Sequence, residues 1–251
     1  MQSRPASPFA ADLWLPAMKY KRILLKLSGE ALAGEAGFGI DSTRVAEIAG
    51  EVAEVARLGV QVGVVVGGGN FFRGIRAPGT GLRRISVDYM GMLATGINAI
   101  ALRDFIAARE VEAHVMSAID MAPIAESFSP QHAMARLGQG AVVIFSAGTG
   151  SPYFSTDTAA ALRAVEIEAE VVAKATKVDG VYDKDPVRFP DAQRYSEISY
   201  QEVLSQELAV MDATAVSLCK ENNLPVVVFN LNVRGNIRRM VSGEEIGTLM
   251  H

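Results

Sequence analysis

The sequence predicts an α/β fold, a three-layer αβα sandwich with a mostly parallel central sheet. Short uncharged runs rich in β-branched residues, of which 62–66 is the clearest, suit strands that are buried on both faces. Segments long enough for helices separate these runs, and strands separated by helices imply βαβ units with parallel pairing. The chain has 251 residues, 49% of them apolar, which is enough for one large core. Hence we expect a single domain over residues 18–251.

The N-terminal segment, residues 1–17, differs in composition from the rest of the chain. It contains three prolines and only short apolar fragments, and Asp12 interrupts the best candidate for the apolar core of a signal peptide. Met18 is followed by a basic stretch and looks like a second start site. We therefore expect residues 1–17 to form a disordered extension without a function of its own.

The predicted domain begins with a strand, a helix and a second strand. The apolar run at 23–25 predicts the first strand and puts Lys26 near its end. Asp41 or Ser42 can cap the helix that follows, and Gly59 closes it. The buried face of this helix is formed by Val45, Ile48, Ala49, Val52 and Val55. The strand at 62–66 comes next.

A long helix is predicted from about Val87 to Ala108. Apolar residues recur along it at helical spacing, which indicates a stripe buried against the sheet. The expected stripe consists of Met90, Leu93, Ala94, Ile97 and Ile100. The remaining predicted elements are, in order, a strand at 113–116, a helix begun by Ser129 and Pro130, a strand at 141–145, a helix from Thr156 or Asp157 through Ile167, a strand at 171–173, a capping box of Ser199 and Glu202, a helix begun by Asp212, and a strand at 226–229.

Three of the predicted strands end in small or glycine-rich sequence, at 26–29, 67–70 and 146–150. In an open parallel sheet such ends lie along one edge, where ligands bind. Glycine lets backbone N–H groups approach a ligand closely, and Arg73 adds a cation, so this edge favours a phosphate group. A single glycine-rich turn is more often a plain connection. The presence of such turns at the ends of three strands favours a binding site.

Two common nucleotide-binding motifs are missing from the sequence. The chain contains no Gly-Lys pair, so it has no Walker A loop. Phe72 stands where a dinucleotide fingerprint beginning at Gly67 would need its third glycine.

Composition argues against several other classes of function. The formal net charge of −4 gives no general attraction to nucleic acid or anionic membranes. No apolar run approaches the ~20 residues that a membrane span requires. Cys219 is the single cysteine and cannot form an internal disulfide, while His114, His132 and His251 lie too far apart for a histidine metal site. We expect a cytoplasmic protein with neither nucleic-acid nor membrane partners.

Several long blocks of the sequence resemble the bacterial uridylate (UMP) kinases of the amino acid kinase superfamily. The resemblance runs from about Tyr20 to Leu249 and is carried by KRILLKLSGEAL, GFGID, QVGVVVGGGNFFRG, DYMGMLAT, SAGTGSPYFSTD, IEAEVVAKATKVDGVYDKDP and EIGTLM. It implies the amino acid kinase fold and transfer of the γ-phosphoryl group of ATP, with Mg²⁺, to UMP in pyrimidine nucleotide synthesis. Such a reaction needs two anionic substrates held in line and cations or amides that stabilise charge, which agrees with the sheet edge described above.

The resemblance also implies roles for individual residues. The implied catalytic residues are Lys26, Arg73, Asp157 and Asp212. The implied ATP-binding residues are Lys26, Leu27, Ser28, Gly29, Gly69, Arg73, Thr176, Tyr182 and Asp185. The implied UMP-binding residues are Gly68, Asp88, Thr149, Gly150, Ser151, Pro152, Tyr153, Phe154, Ser155 and Thr156. Mg²⁺ commonly binds through waters and substrate phosphates, so no compact cage of carboxylates is expected.

Ordinary structural roles compete with some of these assignments. A carboxylate near the start of a helix, as at Asp88 and Asp157, commonly serves as a cap or a dipole partner. Lys26 could be a solvated lysine at a strand end. The segment 183–186 is also typical of turns.

The family resemblance extends to assembly and regulation. Its members form hexamers, with GTP as activator and UTP as feedback inhibitor, so a homohexamer with these two effectors is implied here. The implied GTP segment is the loop formed by Gly34, Glu35, Ala36, Gly37, Phe38 and Gly39. The long helix carries more apolar positions than one buried stripe needs, which is compatible with a subunit interface.

Two alternative functions stay open on the sequence. A kinase of the same superfamily with an acyl or amino acid acceptor would share Lys26 and the glycine-rich turn, but the loop 149–156 argues against it. A non-catalytic sensor of uridine nucleotides would keep the fold without turnover. The charges of Lys26, Arg73 and Asp157 argue against a sensor, because a dead homologue has no need of groups that serve the transition state.

Overall fold

A nine-stranded sheet organises the computed structural model, which describes residues 18–71 and 81–251. The predicted extension at 1–17 and the predicted catalytic Arg73 lie outside the described residues. The strands are β1 (Arg22–Leu27), β2 (Gln61–Val66), β3 (Ala113–Ser117), β4 (Glu126–Ser127), β5 (Val142–Ser146), β6 (Val171–Thr176), β7 (Glu197–Ile198), β8 (Val226–Asn230) and β9 (Thr248–Met250). Their order in the sheet is β4-β3-β5-β2-β1-β6-β8-β9-β7. β9 runs antiparallel to β8, and the other neighbouring pairs are parallel.

Seven α-helices in the described part of the chain cover this sheet. They are α1 (Ser42–Arg57), α2 (Arg84–Ala107), α3 (Pro130–Gly138), α4 (Thr156–Glu166), α5 (Tyr200–Ser205), α6 (Ala213–Glu221) and α7 (Asn236–Val241). Side chains alternate across the strands, so that Leu25 and Val64 face a core formed with α1, α2 and α7. Leu24 and Val65 face a second core formed with α3, α4, α5 and α6. The predicted αβα sandwich with a mostly parallel sheet is confirmed.

Most of the predicted helix caps are present. Asp41 caps α1, because its side chain accepts a hydrogen bond from the Arg44 backbone N–H at 2.9 Å. Ser129 caps α3 with proline at the first helical turn, and Ser199 with Glu202 forms the predicted capping box of α5. The cap of α4 is Ser155, so this helix begins at Thr156, one of the two predicted starting positions.

The predicted buried stripe of α2 is wrong in phase. Leu93 and Ile97 are 53% and 49% exposed, while of the five predicted residues only Ala94 is buried. The face toward the sheet instead carries small and polar residues, among them Thr95 and Asn98. The helix backbone comes very close to the end of β2 there, because a Cβ added at Gly68 would lie 2.7 Å from the carbonyl oxygen of the helix at Gly91. Small side chains such as Ala94 permit this approach, while Leu93 and Ile97 lie on the outer surface and Leu102 and Ile106 are buried farther along the helix.

Among the described helices, α2 is the one that is long and apolar enough to cross a membrane by length and composition alone. It packs against α1, β3 and β5, and the core of the sandwich accounts for much of its apolar character. The prediction that the protein has no membrane partner rests on the sequence.

Candidate active site

Two lysines come together at the carboxyl edge of the sheet. β1 and β6 are neighbouring parallel strands, and their register places Lys26 directly opposite Lys174. Both side chains are buried. The reading of Lys26 as a solvated strand-end lysine is therefore wrong.

Asp157, in the first turn of α4, lies between the two ammonium groups. Its Oδ1 is 2.7 Å from Nζ of Lys26 and 2.6 Å from Nζ of Lys174. Burial raises the pKa of the Asp157 carboxyl, but the charges of Lys26 and Lys174 outweigh burial and hold the pKa below its ordinary value. The cluster thus has one net positive charge when both lysines are protonated.

Lys174 is a candidate functional residue that sequence reasoning missed. Burial, followed by the charge of Lys26, lowers the pKa of the Lys174 ammonium to about 8, although Asp157 opposes the shift. A signal was present in the sequence, since Lys174 interrupts the apolar run that predicts β6. A lysine buried inside a central strand is rare unless it is paired or functional.

The glycine-rich ends of β1 and β2 fit against each other beside this cluster. The Gly67 N–H donates to the Leu27 carbonyl at 2.9 Å, which prolongs the pairing of the two strands. A Cβ added at Gly29 would lie 2.7 Å from both the Gly67 oxygen and the Gly69 nitrogen. The turns approach this closely because Gly29 has no side chain. This places backbone groups of both turns next to the lysine pair.

A cavity of about 390 Å³ lies between the end of β2, α2 and the loop before α4. Six of the ten residues predicted to bind UMP line it: Gly68, Asp88, Thr149, Phe154, Ser155 and Thr156. Gly69, predicted to bind ATP, also lines this cavity, as does Thr95. Thr156 immediately precedes Asp157, so the cavity adjoins the lysine cluster.

The Asp88 side chain lines this cavity and connects α2 to the loop before α4. It lies in the second turn of α2, which begins at Arg84, so the alternative that Asp88 caps the helix is wrong. Its carboxylate accepts hydrogen bonds from Nε of Arg84 at 2.8 and 2.9 Å and from the Tyr153 backbone N–H at 2.9 Å. Tyr153 has φ +75°, an unusual conformation for a bulky residue, and this contact helps to hold it.

In the loop 149–156, which is predicted to bind UMP, further contacts fix the backbone conformation. Gly150 has φ +81°, and a Cβ added there would lie 2.9 Å from the Ala118 oxygen. Ser151 and Thr149 exchange hydrogen bonds at 3.2 Å. The cavity is not lined by Gly150, Ser151, Pro152 or Tyr153.

Two buried side chains that sequence reasoning did not single out hold the start of this loop. Thr95 of α2 accepts a hydrogen bond from the Ala147 N–H at 2.7 Å. Arg163 of α4 donates to the Gly148 carbonyl at 3.2 Å, and its guanidinium lies 3.9 Å from the centre of the Phe128 ring. Long-range contacts of this kind leave no local signal in the sequence.

A second cavity of about 560 Å³ lies beyond the end of β6. Thr176, Tyr182 and Asp185, all predicted to bind ATP, line it together with apolar residues that include Leu208 and Val210. A third cavity, of about 400 Å³, shares Thr176 with it and is also lined by Ser28, another predicted ATP residue. The lysine cluster therefore lies between the elements that line these two cavities and those that line the 390 Å³ cavity.

Asp212 lies beside the lysine cluster, but both of its carboxylate oxygen atoms already accept hydrogen bonds from neighbouring residues. Oδ1 accepts hydrogen bonds from the Ala215 N–H at 3.0 Å and from the Thr158 hydroxyl at 2.9 Å. Oδ2 accepts a hydrogen bond from the Ser155 hydroxyl. Asp212 thus caps α6 and holds the first turn of α4, and its predicted part in catalysis stays a prediction.

The loop 34–39, predicted to bind GTP, begins at the 400 Å³ cavity. Gly34 and Glu35 line that cavity, while Gly37 and Gly39 have φ of +68° and +73°. Phe38 is 69% exposed and packs edge-on against Phe71, with ring centres 6.0 Å apart.

Within residues 18–71 and 81–251, no group of three or more His, Cys, Asp or Glu side chains could hold a metal ion. The Asp157 carboxylate is already bound by two lysines. These observations fit a metal that is held through substrate phosphates and water.

Comparison with known proteins shows which family and which solved structures this chain resembles. Residues 21–230 match the amino acid kinase family. A UMP kinase structure from Bacillus anthracis superposes with a TM-score of 0.89 at 38% identity, covering 92% of this chain and 96% of that one. A UMP kinase from Ureaplasma parvum gives a TM-score of 0.86 at 36% identity, with coverages of 93% and 99%. A uridylate kinase from Archaeoglobus fulgidus gives 0.71 at 31% identity, with coverages of 91% and 99%.

Proposed function

Because the chain belongs to the amino acid kinase family, we propose that it is a UMP kinase, which transfers the γ-phosphoryl group of ATP to UMP and gives UDP and ADP. The observation that carries this proposal is the Lys26–Asp157–Lys174 cluster between two sets of cavities. One set is lined by four of the nine residues predicted for ATP, Ser28, Thr176, Tyr182 and Asp185, and the other by six of the ten predicted for UMP. The cluster is where the phosphate chain of ATP and the phosphate group of UMP would meet.

The two lysines supply the charge that the reaction needs. An oxygen of the UMP phosphate attacks the γ-phosphorus as the bond from that phosphorus to the β–γ bridging oxygen breaks, and the electron pair of that bond leaves with ADP. Negative charge spreads over the transferring group, and Lys26 and Lys174 stabilise it from a buried position where water screens little. The backbone of the adjoining glycine turns adds N–H donors.

Asp157 organises the lysines and is not a general base. The charges of Lys26 and Lys174 hold the pKa of its carboxyl below the ordinary value, and a base with a lowered pKa accepts protons poorly. The acceptor needs no base in any case, because a phosphate monoester with a second pKa of about 6 is mostly dianionic at neutral pH.

Mg²⁺ is the expected metal, and together with ATP it would supply positive charge that offsets the negative charge of the phosphates. The described residues hold no carboxylate cage for it. The chain's own contribution to a metal site is the alignment of the phosphates by the lysine cluster and by the glycine turns. We propose Arg73 as a further phosphate ligand on the basis of the resemblance.

Assembly and regulation form the second part of the proposal. The exposed apolar residues Leu82, Ile85, Tyr89, Leu93 and Ile97 follow one side of α2 and the segment before it. Such a surface favours a subunit interface in the proposed homohexamer. GTP as activator, UTP as inhibitor, a place in pyrimidine nucleotide synthesis and a cytoplasmic location are proposed from the family resemblance. UTP can inhibit simply, because its uridine half can occupy the UMP cavity.

An acceptor assay tests the proposal. ADP release from ATP and Mg²⁺ is followed with UMP, CMP, dUMP, acetylglutamate or carbamate, and without an acceptor. The proposal predicts rapid release with UMP and almost none without an acceptor. Release with acetylglutamate or carbamate alone would favour the acyl or amino acid kinase, and binding of UMP without any release would favour the nucleotide sensor.

A further inference from the structure

Two asparagines buried behind the glycine turn of β2 form a closed pair. Asn70 follows the turn and Asn98 lies on the sheet-facing side of α2, with exposures of 1% and 0%. Nδ2 of Asn70 donates to Oδ1 of Asn98 at 2.9 Å, and Nδ2 of Asn98 donates to Oδ1 of Asn70 at 2.8 Å. Each amide therefore spends one of its two N–H groups on the other.

The second N–H group of each amide reaches a backbone carbonyl. Nδ2 of Asn98 donates to the Gly67 oxygen at 2.8 Å, and Nδ2 of Asn70 donates to the Gly39 oxygen at 2.7 Å. Carbonyl oxygens only accept, so these two contacts fix the orientation of both amides. All four N–H groups of the pair are used, which leaves no buried donor unpaired.

The two carbonyls belong to different loops. Gly67 begins the turn that carries Gly68 and Gly69 into the 390 Å³ cavity. Gly39 ends the exposed loop 34–39, and its N–H donates in turn to the Asn70 oxygen at 3.1 Å. The end of loop 34–39 is thus joined to Asn70 by two hydrogen bonds, and Asn70 is joined through Asn98 to Gly67.

Neither asparagine lines the 390 Å³ cavity, in contrast to Gly68, Gly69 and Thr95 around them. A Cβ added at Gly29 would lie 2.5 Å from Oδ1 of Asn70, so the pair also touches the end of β1. An apolar pair would fill this space without any need for matched partners. A satisfied polar network instead specifies one arrangement of the backbone it binds.

We propose that Asn70 and Asn98 are positioning residues that couple loop 34–39 to the glycine turn 67–69, so that a displacement of either segment changes the other. This deepens the proposed kinase function, because the glycine turn is where the acceptor and the transferred phosphoryl group would be held. The coupling runs through a contiguous set of hydrogen bonds. It gives events at the exposed loop a physical route to the site.

Two matched substitutions break different backbone contacts of the network. Asn98→Asp removes the donors to the Gly67 oxygen and to Oδ1 of Asn70, and leaves an acceptor for Nδ2 of Asn70. Asn70→Asp removes the donors to the Gly39 oxygen and to Oδ1 of Asn98, and leaves an acceptor for Nδ2 of Asn98. Asn222→Asp makes the same chemical change at an exposed position directly after α6 and serves as the control. Each protein is checked for folding by circular dichroism and thermal melting.

Hydrogen exchange of backbone amides measures the coupling directly. Asn98 has no hydrogen bond to loop 34–39, yet we expect Asn98→Asp to speed exchange in 34–39 at least fivefold as well as in 67–69. We expect Asn70→Asp to speed exchange in both segments and Asn222→Asp to leave both unchanged. With UMP as acceptor, kcat of Asn98→Asp should fall about 10-fold to 100-fold, because small misplacements of a site carry costs of that order, while KM for ATP changes less.

A folded Asn98→Asp protein with unchanged exchange in 34–39 would overturn the coupling. If that protein does not fold, Asn70→Asp decides: unchanged exchange in 67–69 overturns the coupling, and faster exchange there supports it. The exchange measurements need no substrate, so they stand even where the parent protein fails to phosphorylate UMP. Failure of the inference and failure of the proposed function are therefore distinguishable.

Discussion

Lys174 gives a pH dependence whose sign follows from the structure. The pKa of its ammonium is lowered to about 8 in the folded protein. At about one pH unit above that value, roughly nine-tenths of the Lys174 side chains are neutral, and the free enzyme loses one of its two buried phosphate-binding charges. We therefore expect kcat/KM for ATP to fall about tenfold for each pH unit above this pKa. Bound phosphates favour the charged lysine, so kcat should begin to fall at a higher pH than kcat/KM.

Initial rates from about pH 6.5 to about pH 9.5, at saturating UMP, check this expectation. Lys174→Arg keeps its charge over the whole range, so its profile should lose the decline even if its overall rate is lower. Lys220→Arg, at an exposed position on α6, is the matched control and should keep the parent profile. A parent profile that stays flat to the highest pH, or a Lys174→Arg profile with the same decline, would show that Lys174 does not cause the pH dependence.

Unfolding does not explain the expected decline. The pKa of Lys174 is about 8 in the folded chain against an ordinary value of 10.5, so between these values the unfolded chain binds more protons at this residue. The contribution of Lys174 to the free energy of unfolding therefore rises with pH in this window. The cost of burying its charge is greatest below the folded pKa.

Three further predictions concern packing, assembly and acceptor choice. Gly68→Ala should lower the free energy of unfolding by about 1 to 3 kcal/mol in urea titrations, because its Cβ would lie 2.7 Å from the Gly91 oxygen. Gly138→Ala is the control, because a Cβ added there meets open space. Equal stability of the two variants would contradict this prediction. Leu93→Asp should reduce the mass of the assembly measured by light scattering, whereas Val187→Asp, at an exposed loop residue, should not. If the mass of the Leu93→Asp protein stays at the parent value, this argues against the α2 interface. CMP should be used at least ~100-fold less efficiently than UMP, because a site built to hydrogen-bond one base leaves polar groups unpaired with the other, and equal kcat/KM values would indicate a broad pyrimidine kinase.

The sequence predicts the central sheet well because its strands are buried on both faces. Such strands appear as uncharged runs, and helix caps such as Asp41 and Ser129 mark where the intervening helices begin. The short strands β4, β7 and β9 were not predicted. They have two or three residues each, and pairing with their neighbours in the folded sheet determines them.

The candidate site was predicted in part. Family resemblance pointed to Lys26 and Asp157, which meet, but not to Lys174, whose importance depends on the register of β1 against β6. The buried face of α2 was misplaced because hydrophobic periodicity favours large side chains. Close approach of the helix to the glycine turn selected small and polar ones instead.

Transfer of labelled phosphate from γ-³²P-ATP by the parent protein and by Lys26→Ala tests the central claim most directly. We expect the parent protein to move the label to UMP, giving labelled UDP. Lys26→Ala should stay folded and bind UMP, yet lose turnover by about 30-fold to 1,000-fold, the equivalent of ~2 to 4 kcal/mol of barrier for one lost charge-assisted contact. Near-normal transfer by a folded Lys26→Ala protein, or release of the label by the parent as free phosphate, would contradict it.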